Sequence, residues 1–296
     1  MEMPADQELT TAAIAMIAAS QRGRSARTVL KKLCPHVYRQ ISQDAKTPLL
    51  LSLWGRSVNF DEFAGKTIVH PAILRAIGEL AGIPVRGRIV HAGLEHTYGY
   101  LFSLIETPYG FKRERWTSTS LESGFGIERS LLGERPLAGT LLANLTWFLG
   151  NIVFRGEARL LSRMEGMAAA VAPELSAYDF SQIRGDRVIE RIPAGSGRTA
   201  SIFTDLIPFP HPAATPNSAN TLLVYSVQPS EKARIKLITA FAINQAAVRE
   251  ITNSIDPKKQ VPIRLRYNAY LRGYWGGVYR GRRSLHPTGK TTGAQN

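Results

Sequence analysis

The residues best suited to chemistry lie in Val90–Phe102, VHAGLEHTYGYLF, which holds two of the chain's six histidines, a glutamate and three aromatics. Histidine suits proton transfer because its unperturbed pKa lies close to neutrality. The glycines and aromatics around it suggest a strand, in which successive side chains face opposite ways. That geometry places His96, Tyr98, Tyr100 and Phe102 on one face, with His91, Glu95 and Thr97 on the other. Glu95 would then point away from His96. The acid–base assignment that follows is His96 with Tyr98, and Glu114 on the facing strand as the carboxylate. Tyr100 and Arg115 would orient an anionic substrate. The plainer alternative is an aromatic stripe in which His96 satisfies its ring nitrogens locally.

Metal chemistry is not expected. A regular strand turns His91 and His96 to opposite sides, and the H-E-x-x-H spacing that puts two histidines on one helix face is absent. Nor is a cofactor expected. Gly195-Ser196-Gly197 lacks the third glycine of a dinucleotide fingerprint. Gly289-Lys290-Thr291 resembles the end of a phosphate loop, but Ser284 stands where its first glycine is required. The hydroxyl run Thr117–Ser120 has no G-x-S-x-G elbow around it.

A second distinctive stretch is Pro262–Arg283. Six arginines (Arg264, Arg266, Arg272, Arg280, Arg282 and Arg283) interleave there with Tyr267, Tyr270, Tyr274, Trp275 and Tyr279. Aromatics that stack on bases between guanidinium groups that meet phosphates are what single-stranded nucleic acid requires. Arg264, Arg266 and Tyr267 are its nearest candidates for substrate contact. Half-buried strand alternation explains the same pattern, with Ile263, Leu265 and Tyr267 inward and a basic outer face.

The surrounding chain must position these groups. Its 296 residues can bury a sizeable core, and 44% are hydrophobic. The net charge of +14 is concentrated after Asp256, where acidic residues cease. Such charge addresses anionic partners, either a small molecule or nucleic acid. A single cysteine, Cys34, excludes a disulfide framework, and the acidic opening MEMPADQE lacks the positive start of a secretory leader. A cytoplasmic protein is the expectation. Residues 137–154 carry no charge but include Thr140, Asn144, Thr146 and Asn151. A buried helix or a broken strand pair therefore suits them better than a stable membrane span.

Residues 1–84 read as helical. Ser25 can cap a helix, Pro35 should break one, and HPAILRAIGELAG has proline at its start and Gly82 at its end. Residues 85–283 read as a β-rich domain, with hairpins at Thr107–Gly110, at Gly195–Gly197 and across Gln228–Ala233. A helix over Met164–Ser176 interrupts it, and residues 284–296 form a mobile basic tail. The expected fold is α+β: a helical N-terminal part, then a mostly antiparallel sheet with packed helices. The leading functional expectation is an enzyme acting on an anionic small molecule or conjugate through His96, beside the first hairpin. The alternatives are a single-stranded nucleic-acid protein and a non-catalytic partner-binding protein. Oligomeric state is not legible.

If Arg264–Arg283 binds nucleic acid, affinity for single-stranded RNA will fall steeply with salt, because phosphate contacts release counterions. Replacing Arg280, Arg282 and Arg283 with alanine should flatten that slope by roughly 0.7 per lost contact. Tyr274→Ala should weaken binding by about 1–3 kcal/mol with the slope unchanged. Anisotropy titrations at several salt concentrations measure both, and a shallow wild-type slope rejects the nucleic-acid reading.

Overall fold

A computed structural model describes residues 5–61, 64–85, 87–107, 110–113, 138–193, 199–208, 219–246, 248 and 249. Five helices open the chain: α1 (Ala5–Gln21), α2 (Ala26–Leu33), α3 (Pro35–Asp44), α4 (Pro48–Ser52) and, after strand β1 (Arg56–Val58), α5 (Pro71–Leu80). Ser25 caps α2 by accepting from Thr28 N, and Pro35 occupies the first turn of α3. The expected break at Pro35 is thus a junction between two helices. α5 ends as its sequence requires. Gly82 has φ +68, in the left-handed region, and Ile83 N closes back onto Gly78 O at 2.7 Å.

Beyond α5, β2 (Ile89–His91) pairs antiparallel with β1, in the register Arg56↔His91, Ser57↔Val90, Val58↔Ile89. The expected long strand stops there. α6 (Ala92–Leu94) follows and runs into a π-helical turn, Glu95–Gly99. The residues from Ala92 to Ser103 are all buried, so burial has no two-residue period to report. Aromatic and glycine content mimicked a strand, and packing on every side decided for a helix. The turn of the first hairpin survives in miniature. β3 (Glu106–Thr107) pairs with β4 (Gly110–Phe111), joined where Thr107–Gly110 was expected to turn.

Residues 137–154 resolve as the buried-helix alternative, α7 (Leu141–Val153), capped by Thr140. Among the described residues no helix is long and apolar enough to cross a membrane. The single helix expected over Met164–Ser176 is replaced by α8 (Ala158–Glu165), a short 3-10 turn and α9 (Pro173–Ser176).

The main sheet is an antiparallel meander of β5 (Asp186–Pro193), β6 (Thr199–Pro208), β7 (Ala219–Gln228) and β8 (Lys236–Asn244), in sequence order among the described residues. Both later hairpins were legible from turn residues and β-branched runs. α7 packs on β7 and β8 and also touches the π turn, while α6 lies against β8. The core is one cluster running from Leu9 through Tyr98 and Phe148 to Ile243.

Trp54 joins the helical part to the sheet. It bridges Leu237 of β8, with Gly55 N donating to Leu237 O at 2.8 Å and Leu237 N to Leu53 O at 2.9 Å. Its indole N–H donates to Thr146 Oγ1 of α7 at 2.8 Å. The indole face lies on Gly93 of α6, where a Cβ would stand 2.7 Å from Trp54 Cγ. Gly99 is also close-packed, but its Cβ would meet the movable Leu74 Cδ2 at 3.1 Å.

Alanine is favoured over glycine in a helix by about 1 kcal/mol, whereas overpacking costs roughly 1–3 kcal/mol. Gly93→Ala should therefore be destabilising and Gly99→Ala close to neutral. Urea midpoints at constant m-value check the order, and equal midpoints would refute the Trp54 constraint.

Candidate active site

The π turn closes through Tyr100 N–H donating to Glu95 O, one residue beyond the α-helical pattern. The wider turn makes adjacent side chains diverge less, and both Glu95 and His96 stay interior, at 1% and 2% exposure. His96 Nδ1–H donates to Ala92 O at 2.9 Å, which directs Nε2 to the other side of the ring. Nε2 lies 3.7 Å from Glu95 Oε2. The expectation that Glu95 points away from His96 is therefore corrected, because helical backbone replaced strand alternation. Ser57, from β1, donates its hydroxyl to the same Glu95 oxygen.

The aromatic stripe also divides. Tyr100 stays with His96, edge to face at a centroid distance of 4.8 Å. Tyr98 does not: its hydroxyl donates to Asp44 Oδ2 at 2.6 Å, on the side facing α3 and α7. Above Tyr100 lies Lys112, 6.0 Å from the ring centroid and 3.2 Å from Asp61 Oδ2. Glu95, His96, Tyr100, Ser57, Lys112 and Asp61 thus make a mixed-charge cluster at the junction of β1, the π turn and β4. His96 Nε2 and Glu95 are the groups of the cluster whose chemistry allows proton exchange, and the charge of Lys112 is balanced by Asp61. Glu114, Arg115, Arg264, Arg266 and Tyr267 lie outside the described residues. Among the described residues no three histidine, cysteine, aspartate or glutamate side chains gather as metal ligands would.

His91 has a structural post. Its Nδ1 accepts from Leu94 N at 3.2 Å, capping α6, and its Nε2–H donates to Leu51 O at 2.9 Å. Both ring nitrogens are spent in the neutral form, and burial pushes the ring down to about 4.

Sequence reasoning missed Asp44, Ser57, Asp61 and Lys112, which lie on separate elements and share no spacing. Asp44 is fully buried at the end of α3. Besides Tyr98 it accepts from Thr140 Oγ1 at 2.5 Å, while Thr140 also caps α7 through Ala143 N at 3.0 Å. Burial pushes the Asp44 carboxyl up to about 6, against the pull of the two hydroxyl donors. No protein-family model matches the chain, and neither curated proteins nor solved structures provide a match.

Asp44 and His91 have opposite effects on stability. Asp44 favours its protonated form in the fold, so its contribution is present near pH 4 and is lost as pH rises through about 6. His91 favours its neutral form, so its contribution is present above pH 6.5 and is lost as pH falls towards about 4. The two slopes offset each other between these limits. Asp44→Asn should gain stability relative to wild type as pH rises from 4 to 6, by up to about 3 kcal/mol. His91→Asn, which keeps a capping oxygen, should show the reverse trend. Urea denaturation at intervals of pH measures both, and parallel curves for the three proteins would refute the assignment.

Proposed function

We propose that the chain is an enzyme that performs acid–base chemistry on an anionic small molecule or conjugate, with Glu95 and His96 as the proton-handling pair. The observation that carries this reading is the π turn, a rare backbone feature that recurs at functional sites. Here it holds two adjacent ionisable side chains 3.7 Å apart inside the protein. His96 has one nitrogen anchored on Ala92 O, an arrangement that fixes a tautomer for proton transfer. Lys112, whose charge Asp61 balances, is the cation beside Tyr100 for which an anionic substrate would compete. Tyr98 holds the turn through Asp44, and its part is positioning. A cytoplasmic setting fits the single thiol, Cys34, which is buried and pushed up to about 12 by that burial, so it is inert. The nucleic-acid alternative rests on residues 262–283, outside the described residues.

Glu95→Gln and His96→Asn separate a working site from a structural pair. Residues held for function are often suboptimal for stability, so neutral near-isosteres there should leave stability unchanged or raise it by about 0.5–2 kcal/mol. Breaking a purely structural buried pair should instead cost roughly 3–5 kcal/mol. Denaturation of both variants supplies the first readout. Turnover of anionic chromogenic substrates, such as p-nitrophenyl phosphate and p-nitrophenyl sulfate, supplies the second. Loss of stability in both variants, without wild-type turnover, rejects the enzyme reading.

A further inference from the structure

A cleft of about 200 Å³ opens between the C-terminal end of α7 and the sheet. Its apolar wall is Ile152, Ile183 and Ile207, each under a tenth exposed. Its polar lining is Arg155, Arg187 and Asp205. None of these residues belongs to the Glu95–His96 cluster, so the inference stands independently of the proposed enzyme activity.

The donor inventory of the two arginines decides what the cleft can take. Arg187 donates through Nε to Asp205 Oδ1 at 2.7 Å and through Nη2 to Asp205 Oδ2 at 3.1 Å and Val153 O at 2.6 Å. Its Nη1 donors have no partner among the described residues. The Phe203 ring lies 5.3 Å from the guanidinium carbon and fixes its plane. Among the described residues Arg155 makes one long hydrogen bond, from Nη2 to Phe180 O at 3.3 Å, and its Nε and Nη1 donors have no partner there. Two guanidinium groups therefore face one small space with donors to spare, a geometry suited to a planar carboxylate.

Charge and size narrow the ligand. Asp205 neutralises one of the two arginines, so the lining carries a single net positive charge. A monoanion matches it, while a phosphate dianion would leave charge uncompensated beside a buried carboxylate. The three isoleucines have no use for a polar tail. Pockets that take drug-sized ligands span roughly 300–1,000 Å³, and this cleft is smaller.

We propose that the cleft binds a short-chain aliphatic monocarboxylate, its carboxylate held by Arg155 and Arg187 and its alkyl chain packed on Ile152, Ile183 and Ile207. Arg187 is preoriented by Asp205 and Val153, and Arg155 closes the pair from the segment following α7. Ligand entry then ties the end of α7 to the central strand β6.

Equilibrium dialysis of the full chain with radiolabelled butanoate tests this, with butanamide and inorganic phosphate as competitors. Butanoate should bind saturably. Unlabelled butanoate should displace it, whereas butanamide and phosphate should require concentrations at least about tenfold higher. Arg155→Gln, which among the described residues breaks one long hydrogen bond, should keep a melting temperature close to wild type and weaken butanoate binding at least about tenfold. Ile183→Phe keeps both arginines but fills the cleft, and should abolish binding. Absence of saturable butanoate binding would overturn the proposal. So would unchanged affinity in both variants, or displacement by phosphate at the concentration of unlabelled butanoate.

Discussion

The contact between the Trp54 indole and Gly93 sets the positions of the other elements. An indole is large and stiff, and it meets backbone here with no intervening side chain, because a Cβ at Gly93 would lie 2.7 Å from the ring. That approach brings α6 down onto β8. The same indole is tied by its N–H to Thr146 in the middle of α7, while the flanking backbone joins Leu237. Three elements from distant parts of the chain are therefore located by Trp54 and the backbone on either side of it. The π turn begins one residue beyond α6, so the orientation of Glu95 and His96 follows from where Trp54 holds Gly93.

Polar groups buried around this frame act as joints. Asp44 accepts hydroxyls from Tyr98 and Thr140, which links α3, the π turn and the start of α7. Burying a carboxylate is costly, which is why its pKa rises to about 6 despite two donors. Asn59 performs a similar task without charge. Its side chain donates to Val69 O at 2.7 Å and accepts from Val69 N at 2.9 Å, clamping the loop ahead of α5. Such joints add directional bonds that apolar packing lacks, and they set register where hydrophobic contacts alone would permit sliding.

The two histidines of Val90–Phe102 show how local backbone assigns roles. His91 ends a strand and caps a helix, and both of its nitrogens are engaged by backbone groups. His96 sits one turn later, anchored by one nitrogen and facing a carboxylate with the other. Residue type is the same in both cases. The difference lies in whether the neighbouring groups are backbone amides and carbonyls, which fix the ring, or an ionisable side chain, which can exchange a proton with it.

Local rules in the sequence determined much of the fold. Pro35 forced a junction because it cannot continue α2, Gly82 ended α5 because it accepts a left-handed backbone, and the runs forming β5 to β8 carried their own turn residues. The α+β class followed from the same signals, whereas the sequence left residues 137–154 open between a buried helix and a strand pair, and the structure shows the helix. The site was less legible. His96 and Tyr100 were visible as candidates, but their true relation to Glu95 and Tyr98 was not, since a strand and a π turn send the same residues in different directions. Asp44, Ser57, Asp61 and Lys112 gave no signal, because nothing in their spacing reveals that separate elements converge. Only the tertiary structure decided those contacts: where every side of a segment is buried, hydrophobic periodicity vanishes, and the backbone takes the form that packing against Trp54, Leu74 and Val69 permits.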